Sequence, residues 1–308
     1  MPTEPHIPES SSVVAVSGAT GLIGTALVEH LRARGIGVRR LVRVGRAAAG
    51  DVEWDPMRGV LAPDALEGVD AVVHLAGEPI AHRWTSARKQ AIRESRVRGT
   101  ELLARTIAVM KRKPSVLLSG SAVGYYGDRG DEVLDEESAP GSDFLAGVVR
   151  EWEDATRLAA DAGIRVVRLR TGLVLSPRGG ALERLLIPFR LGVGGPIGSG
   201  RQWMSWISLH DHLRVMEHAL TTTTLAGAVN AVAPNPVTNA QFAVTLGRVL
   251  TRPAFVRVPG FALELLYGEM ARATILSGQR VLPKALVRSG FEFAHPTLEQ
   301  ALRFELKD

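Results

Sequence analysis

An α/β fold, a doubly wound parallel sheet with a smaller, mostly helical C-terminal lobe, is predicted by three features of the sequence. Short apolar runs alternate with amphipathic stretches through the first half, as in a parallel sheet covered by helices. A glycine-punctuated turn joins the first run to the first amphipathic stretch. Past Arg170 the texture changes to clustered glycines and prolines, then to helical patterns. The length of 308 residues is enough for one large core and a second lobe.

Taken in order, Met1 to Ser12 is Pro/Ser-rich, without the basic start and apolar core of a signal peptide, and reads as a loose tail. Residues 13–175 form the predicted nucleotide-binding domain. Its strands are Val13–Ser17, Val38–Arg43, Ala71–Leu75, Val116–Ser119 and Val166–Leu169. Helical patterns lie between them at Leu22–Arg34, Thr85–Val109 and Phe144–Ala162, with Gly35 and Gly163 placed to end the first and the last. Residues 176–308 form the predicted C-terminal lobe. The sheet is revisited near 205–235, where a strand-like Ala228–Val232 follows a helical Asp211–Leu220 that His210 and Asp211 open. A last helix is capped by Thr297.

The turn after the first strand reads Gly18-Ala19-Thr20-Gly21-Leu22-Ile23-Gly24. Glycines at this spacing say little alone. Between a strand and a helix they let backbone N–H groups face a pyrophosphate, with Gly18 making the turn, Gly21 admitting the phosphate and Gly24 closing helix on sheet. This is the Rossmann arrangement. An acidic residue about 20 positions on would select NAD by accepting from the ribose 2′-OH. The second strand instead ends Arg39-Arg40-Leu41-Val42-Arg43, and a guanidinium suits a 2′-phosphate, so Arg43 points to NADP(H), with Arg39, Arg40 and Arg46 on the surface. The small residues of Leu75-Ala76-Gly77 let the chain pass close to the cofactor, and His74 reads as a strand residue.

Together with Ser119-Gly120-Ser121-Ala122-Val123-Gly124-Tyr125-Tyr126-Gly127, these motifs resemble the extended short-chain dehydrogenase/reductases, the NAD(P)-dependent epimerases and dehydratases. Ala76-Gly77-Glu78-Pro79-Ile80, Arg83-Trp84, Ser95-Arg96, Arg170-Thr171-Gly172, Gly194-Gly195-Pro196-Ile197-Gly198 and Gln202-Trp203-Met204-Ser205-Trp206-Ile207 resemble one poorly characterised epimerase-family branch, labelled cell-division-inhibitor-like. The likeness covers roughly residues 13 to 303.

The resemblance implies cofactor contacts from Gly18 to Gly24 and from Leu75, Ala76, Gly77 and Ser119. It also implies a catalytic Ser or Thr, matched by Ser121, and a Tyr with a Lys four residues later. That pair is missing. Tyr125 is followed four residues on by Arg129, Tyr126 by Gly130 and Tyr267 by Ala271. Where the family's helix carries the pair, this chain runs Phe144-Leu145-Ala146-Gly147-Val148-Val149-Arg150, with Arg150 the candidate ribose-binding cation. Tyr125 and Tyr126 are the phenols nearest Ser121, and packing and acid catalysis stand as equal readings for both. Arg96, Gln202, Trp203 and Trp206 are candidate substrate contacts. A packing role for the two tryptophans is the competing reading.

Zero Cys excludes disulfides and thiol chemistry and fits a reducing, cytoplasmic setting. The net charge of +5 is dispersed and aromatics are only 5%, which argues against nucleic acid; no apolar run reaches membrane-spanning length. No His/carboxylate cluster has metal-ligand spacing. Two functions remain: an NADP(H)-dependent oxidoreductase or epimerase-like enzyme acting on a small polar substrate, or a noncatalytic NADP(H)-binding sensor or partner-binding module.

Overall fold

The computed structural model describes residues 12–307, so all but Ser12 of the expected tail lies outside the described residues. In β1 (Val13–Ser17) the side chains alternate. Val14 and Val16 enter one core and Ala15 the opposite one, so both faces are covered, as a parallel sheet requires. The other sheet strands are β2 (Gly37–Arg43), β3 (Val52–Trp54), β4 (Ala71–His74), β5 (Val116–Ala122), β6 (Arg165–Thr171) and β7 (Gly227–Ala231). They pair in parallel in the order β7-β6-β5-β4-β1-β2-β3. The expected doubly wound parallel sheet holds. Its order reverses between β1 and β4, where such sheets bind ligands at their carboxyl edge.

Three differences from the sequence reading have local causes. The three residues Val52-Glu53-Trp54 of β3 are too few to display alternation, although Val52 and Trp54 are buried. The strand expected to stop at Ser119 runs on to Ala122, with Gly120, Ser121 and Ala122 paired to Leu169, Arg170 and Thr171. The single helix expected over 144–162 is two. The buried Thr156 hydroxyl donates to the Glu153 carbonyl at 2.6 Å and the chain turns there.

Helices α1 (Leu22–Ala33), α2 (Ser86–Ala108), α3 (Phe144–Asp154) and α4 (Arg157–Asp161) flank the sheet. With α5 (Gly180–Arg190) and α6 (Leu209–Thr221), α7 (Asn239–Leu250), α8 (Gly260–Tyr267), α9 (Lys284–Arg288) and α10 (Leu298–Glu305) they complete the chain. Leu27 and Leu31 of α1 pack with Val215 and Met216 of α6 on one face. Leu102, Leu103 and Ile107 of α2 pack with Ala159 of α4 on the other. The C-terminal lobe has its own core of Leu182, Leu186, Phe189, Trp206, Phe242, Leu246 and Leu302.

Asp211 joins these layers. Ser208 caps α6 by accepting from the Asp211 N–H, and the Asp211 carboxylate accepts from the N–H groups of Ala294 and His295, pinning the segment before α10. Thr297 caps α10 in a reciprocal arrangement with Gln300. Among the described residues, no helix is long and apolar enough to cross a membrane, and no cluster of three or more His, Cys, Asp or Glu could hold a metal ion.

Candidate cofactor cleft

The first glycine turn and the segment after β4 meet at the carboxyl edge of the sheet. Gly18 has φ +69°, and a Cβ there would lie 2.7 Å from the Leu75 carbonyl carbon, so only glycine fits. A Cβ on Gly24 would fall 2.1 Å from the Gly18 carbonyl oxygen, which seats α1 against the turn. Ala19 is buried, and the Thr25 hydroxyl donates to its carbonyl. Thr20 is exposed, while Leu22 touches the would-be Cβ positions of Gly179 and Gly180 and Ile23 packs on the core.

Gly21 is different. Its backbone is extended (φ −80°, ψ 172°), which any residue adopts, and within 4 Å a Cβ would meet only the Gly18 oxygen at 3.5 Å. Neither conformation nor protein packing demands glycine there. The residue is also the N-cap of α1, which has no side-chain cap and no acid in its first turn. A pyrophosphate set against the helix N-terminus satisfies all of these features, so the residues present fit a dinucleotide.

At the end of β2, Ser17 pairs with Leu41, which places Arg43 just beyond the level of the glycine turn. The arginines of this strand divide by partner. Arg39 donates to the carbonyls of Ala65 and Glu67, and Arg40 forms a two-pronged pair with Asp51 at 2.8 and 2.7 Å. The Arg43 side chain is exposed and makes no hydrogen bond or ion pair among the described residues.

Beside β4, the Arg96 guanidinium lies against Gly77, where a Cβ would sit 3.2 Å from its Cζ, and 5.2 Å above the Trp152 ring. Burial lowers its pKa to about 10, partly opposed by Glu78. His74 is buried in the strand with Nδ1 2.6 Å from the Ser17 hydroxyl. Burial and the Arg96 charge push its pKa down to about 4, so it is neutral.

Several other candidates are engaged by groups of the protein itself. Ser119 is fully buried, its hydroxyl on the Gly120 carbonyl, because β5 extends past it; it does not reach the sheet edge. Trp206 is fully buried in the C-terminal core with Nε1 donating to the Asn235 carbonyl, so it is a core residue and not a pocket wall. Gln202 spends its amide on the carbonyls of Ile197 and Ile275. Trp203 donates to Asp131 at 2.7 Å and stacks under Arg280.

Ser121, Tyr126 and Tyr125 belong to one network under the end of β5. The Ser121 hydroxyl donates to Glu153 at 2.6 Å, and Arg170 grips both oxygens of that carboxylate at 2.8 and 2.9 Å. Burial pulls the Arg170 pKa down, but the Glu153 hydrogen bonds and charge outweigh it and the net shift is upward. The fully buried Tyr126 donates to Asn230 Oδ1 at 2.7 Å and accepts from Arg170 at 3.0 Å. Burial pushes this phenol up to about 12 despite Arg170, so it keeps its proton. Tyr126 is therefore a tie inside the protein, not an acid facing the cleft.

Tyr125 stacks 3.4 Å from the Arg170 guanidinium and lines a lateral cavity of about 400 Å³ with Arg150, Asp154, Arg168 and Ala228. Arg168 and Ala228 pair at the middle of β6 and the start of β7, away from the carboxyl edge. Arg150, expected to replace the ribose-binding lysine, faces this cavity too. The sequence reading missed Glu153, the hub of the network. Its signal was a carboxylate within the apolar stripe Ala146, Val149, Glu153 of an amphipathic helix.

A glycine cradle at the switch point of a doubly wound sheet, followed by a short-chain dehydrogenase-like β5 motif, defines a dinucleotide-binding protein of epimerase type. The chain belongs to the NAD dependent epimerase/dehydratase family, whose model matches residues 14–231, and residues 258–305 match a domain of unknown function, DUF1731. It is 46% identical over 296 residues to epimerase family protein Mb2239 of Mycobacterium bovis, covering 96% of this chain and 98% of that protein. Against human epimerase family protein SDR39U1 the identity is 39% over 294 residues, with 94% and 98% covered. The crystal structure of human SDR39U1 (isoform 2) with NADPH superposes with a TM-score of 0.88 at 37% identity, covering 95% of this chain and 98% of that one. A nucleoside-diphosphate sugar epimerase from Corynebacterium glutamicum gives 0.80 at 40% identity over 96% of this chain, which spans 59% of that one. The resemblance to the extended short-chain dehydrogenase/reductases and their epimerase branch holds.

Proposed function

We propose that this chain is an NADP(H)-dependent oxidoreductase or epimerase-like protein acting on a small polar substrate in a cytoplasmic setting. Gly21 carries the cofactor reading, being a glycine that the protein itself does not need. The NADPH in the human SDR39U1 structure supports the choice of dinucleotide, as does Arg43, a cation at the β2 end whose side chain has no partner among the described residues. Bound NADP(H) supplies the hydride exchange. The glycine turn and the α1 N-terminus orient the pyrophosphate, Arg43 selects the 2′-phosphate, and Arg96 borders the substrate side.

Isothermal titration tests the binding. Arg43→Ala is expected to weaken NADPH about 10- to 100-fold, the loss of a charge-assisted pair, and to leave NADH unchanged. A wild-type preference for NADH would overturn the assignment. Gly21→Ala is expected to leave stability within about 0.5 kcal/mol, since the new methyl meets almost nothing, while NADPH affinity drops at least about tenfold. Equal NADPH affinity in that variant would remove the phosphate from Gly21.

The second reading, a noncatalytic NADP(H) binder, is favoured by the side chains around Ser121. Its hydroxyl and that of Tyr126 are committed to Glu153, Arg170 and Asn230, and Tyr125 lines the lateral cavity. Following 340 nm absorbance across aldehydes, ketones and nucleotide sugars separates the two, since tight NADPH binding with no turnover supports the sensor.

A further inference from the structure

Among the described residues, three arginines close the Nε–Nη2 edge of the guanidinium on both oxygens of a carboxylate. They are Arg40 on Asp51, Arg129 on Glu132 and Arg170 on Glu153. This edge offers two parallel donors that match the two oxygens of a carboxylate. Arg96 is built differently. Its Nη1 donates to the carbonyls of Glu78 and Ile92 at 3.0 and 3.1 Å, which fixes the plane of the group, and no carboxylate among the described residues closes its Nε–Nη2 edge. Glu78 is adjacent, but its carboxylate pairs with Arg88 at 2.6 Å.

The surroundings carry a surplus of donors. The indole Nε1 of Trp152, in the ring under the guanidinium, is buried without an acceptor among the described residues, and an indole nitrogen only donates. The Arg96 charge is also felt at His74, whose Nε2 is buried without a partner among the described residues. A partly buried cation whose nearest carboxylate is paired to another arginine is costly to keep. Its position at Gly77 puts it beside the segment that meets the glycine turn through Gly18.

We infer that the Nε–Nη2 edge of Arg96 anchors a carboxylate of the substrate, which makes the substrate of this cleft a small carboxylic acid. This deepens the proposed function and rests on it. Glu78 and Ile92 hold the guanidinium through their carbonyls, Trp152 supports its face, and the substrate's two oxygens complete the fork. Among the described residues, no carboxylate is bonded to that fork.

The test titrates oxalate and malonate, with malonamide as the uncharged control, into the full chain saturated with NADP+, by calorimetry. Oxalate or malonate is expected to bind and malonamide not. Arg96→Gln is expected to weaken the anion at least about tenfold and Arg96→Lys, which keeps the charge without the fork, by a similar factor; NADPH affinity stays within about twofold in both. The lysine variant keeps the comparison valid if the glutamine variant fails to fold. Loss of NADPH affinity in both variants, with carboxylate binding intact, would assign the edge to a cofactor phosphate and overturn the inference. So would a wild-type NADP+ complex that binds neither dicarboxylate. A wild-type chain that binds no NADPH overturns the proposed function itself.

Discussion

Replacing Glu153 by Gln is expected to cost about 3–5 kcal/mol and to lower the melting temperature by on the order of 10 °C. The carboxylate and Arg170 are each only 4% exposed, so their charges have left water and depend on each other. Removing one leaves an uncompensated buried guanidinium, which also holds the Tyr126 hydroxyl and stacks on Tyr125. Ser121→Ala is expected to cost only about 1 kcal/mol, since Arg170 still satisfies both carboxylate oxygens. Replacing Glu153 and Arg170 together by Leu is expected to destabilise less than Glu153→Gln alone, because no buried charge is stranded. Thermal and denaturant melts of the four proteins check this. A Glu153→Gln loss under about 1 kcal/mol would show that the pair is not the support described.

That network explains why the fold was legible from sequence and the chemistry was not. The glycine turn, the strands and most helix ends follow from local rules. Gly18 needs positive φ, Gly35 and Gly163 end helices in the left-handed region, and β1 alternates between two buried faces. Arg43 was visible for the same reason, since a strand end beside a glycine turn has a fixed place. What could not be read was the pairing of residues distant in sequence. Ser121 meets Glu153 across 32 positions and Tyr126 meets Asn230 across 104. Motif resemblance placed Ser121 and Tyr126 at a site, whereas their partners commit them to the protein interior. Ser119 moved off the edge because pairing to β6 carried β5 three residues further, a tertiary effect that overrides strand propensity.

The same separation applies to binding and catalysis. The cradle is made of glycines whose roles are steric, so a sequence reports it directly. A proton donor is defined by its neighbours. Phe144 and Val148 occupy the helix where the family carries Tyr and Lys, and the Phe144 ring instead packs edge-on against Trp84 with Lys89 Nζ 4.8 Å away. Lys89 is paired to Glu269 at 2.6 Å, which ties α2 to the segment after α8. The Arg83 side chain adds a bond to the Leu265 carbonyl. The start of α2 and the segment before it are thus fastened to the region of α8 beside Phe144.

Acidification from pH 7.5 to 5 is expected to cost about 4 kcal/mol through two histidines, His74 and His212. Both are fully buried, and burial pushes each pKa down to about 4, with the Arg96 charge adding to the effect at His74. An imidazole in the unfolded chain titrates near 6.5, so between about 6.5 and 4 the unfolded chain binds more protons than the folded one. The stability is therefore fully present above about 6.5 and falls as pH drops toward 4, by about 2 kcal/mol per group at pH 5. His210 and His218, lowered chiefly by burial but partly exposed, shift in the same direction with smaller weight. Both ring nitrogens of His212 lack partners among the described residues, and the residue shares the buried face of α6 with Leu209, Val215 and Met216. His212→Leu should consequently keep the helix packed while removing about half of the acid sensitivity. Denaturant midpoints for both proteins at pH 7.5, 6 and 5 measure it, and an unchanged pH slope in the leucine variant would take His212 out of the account.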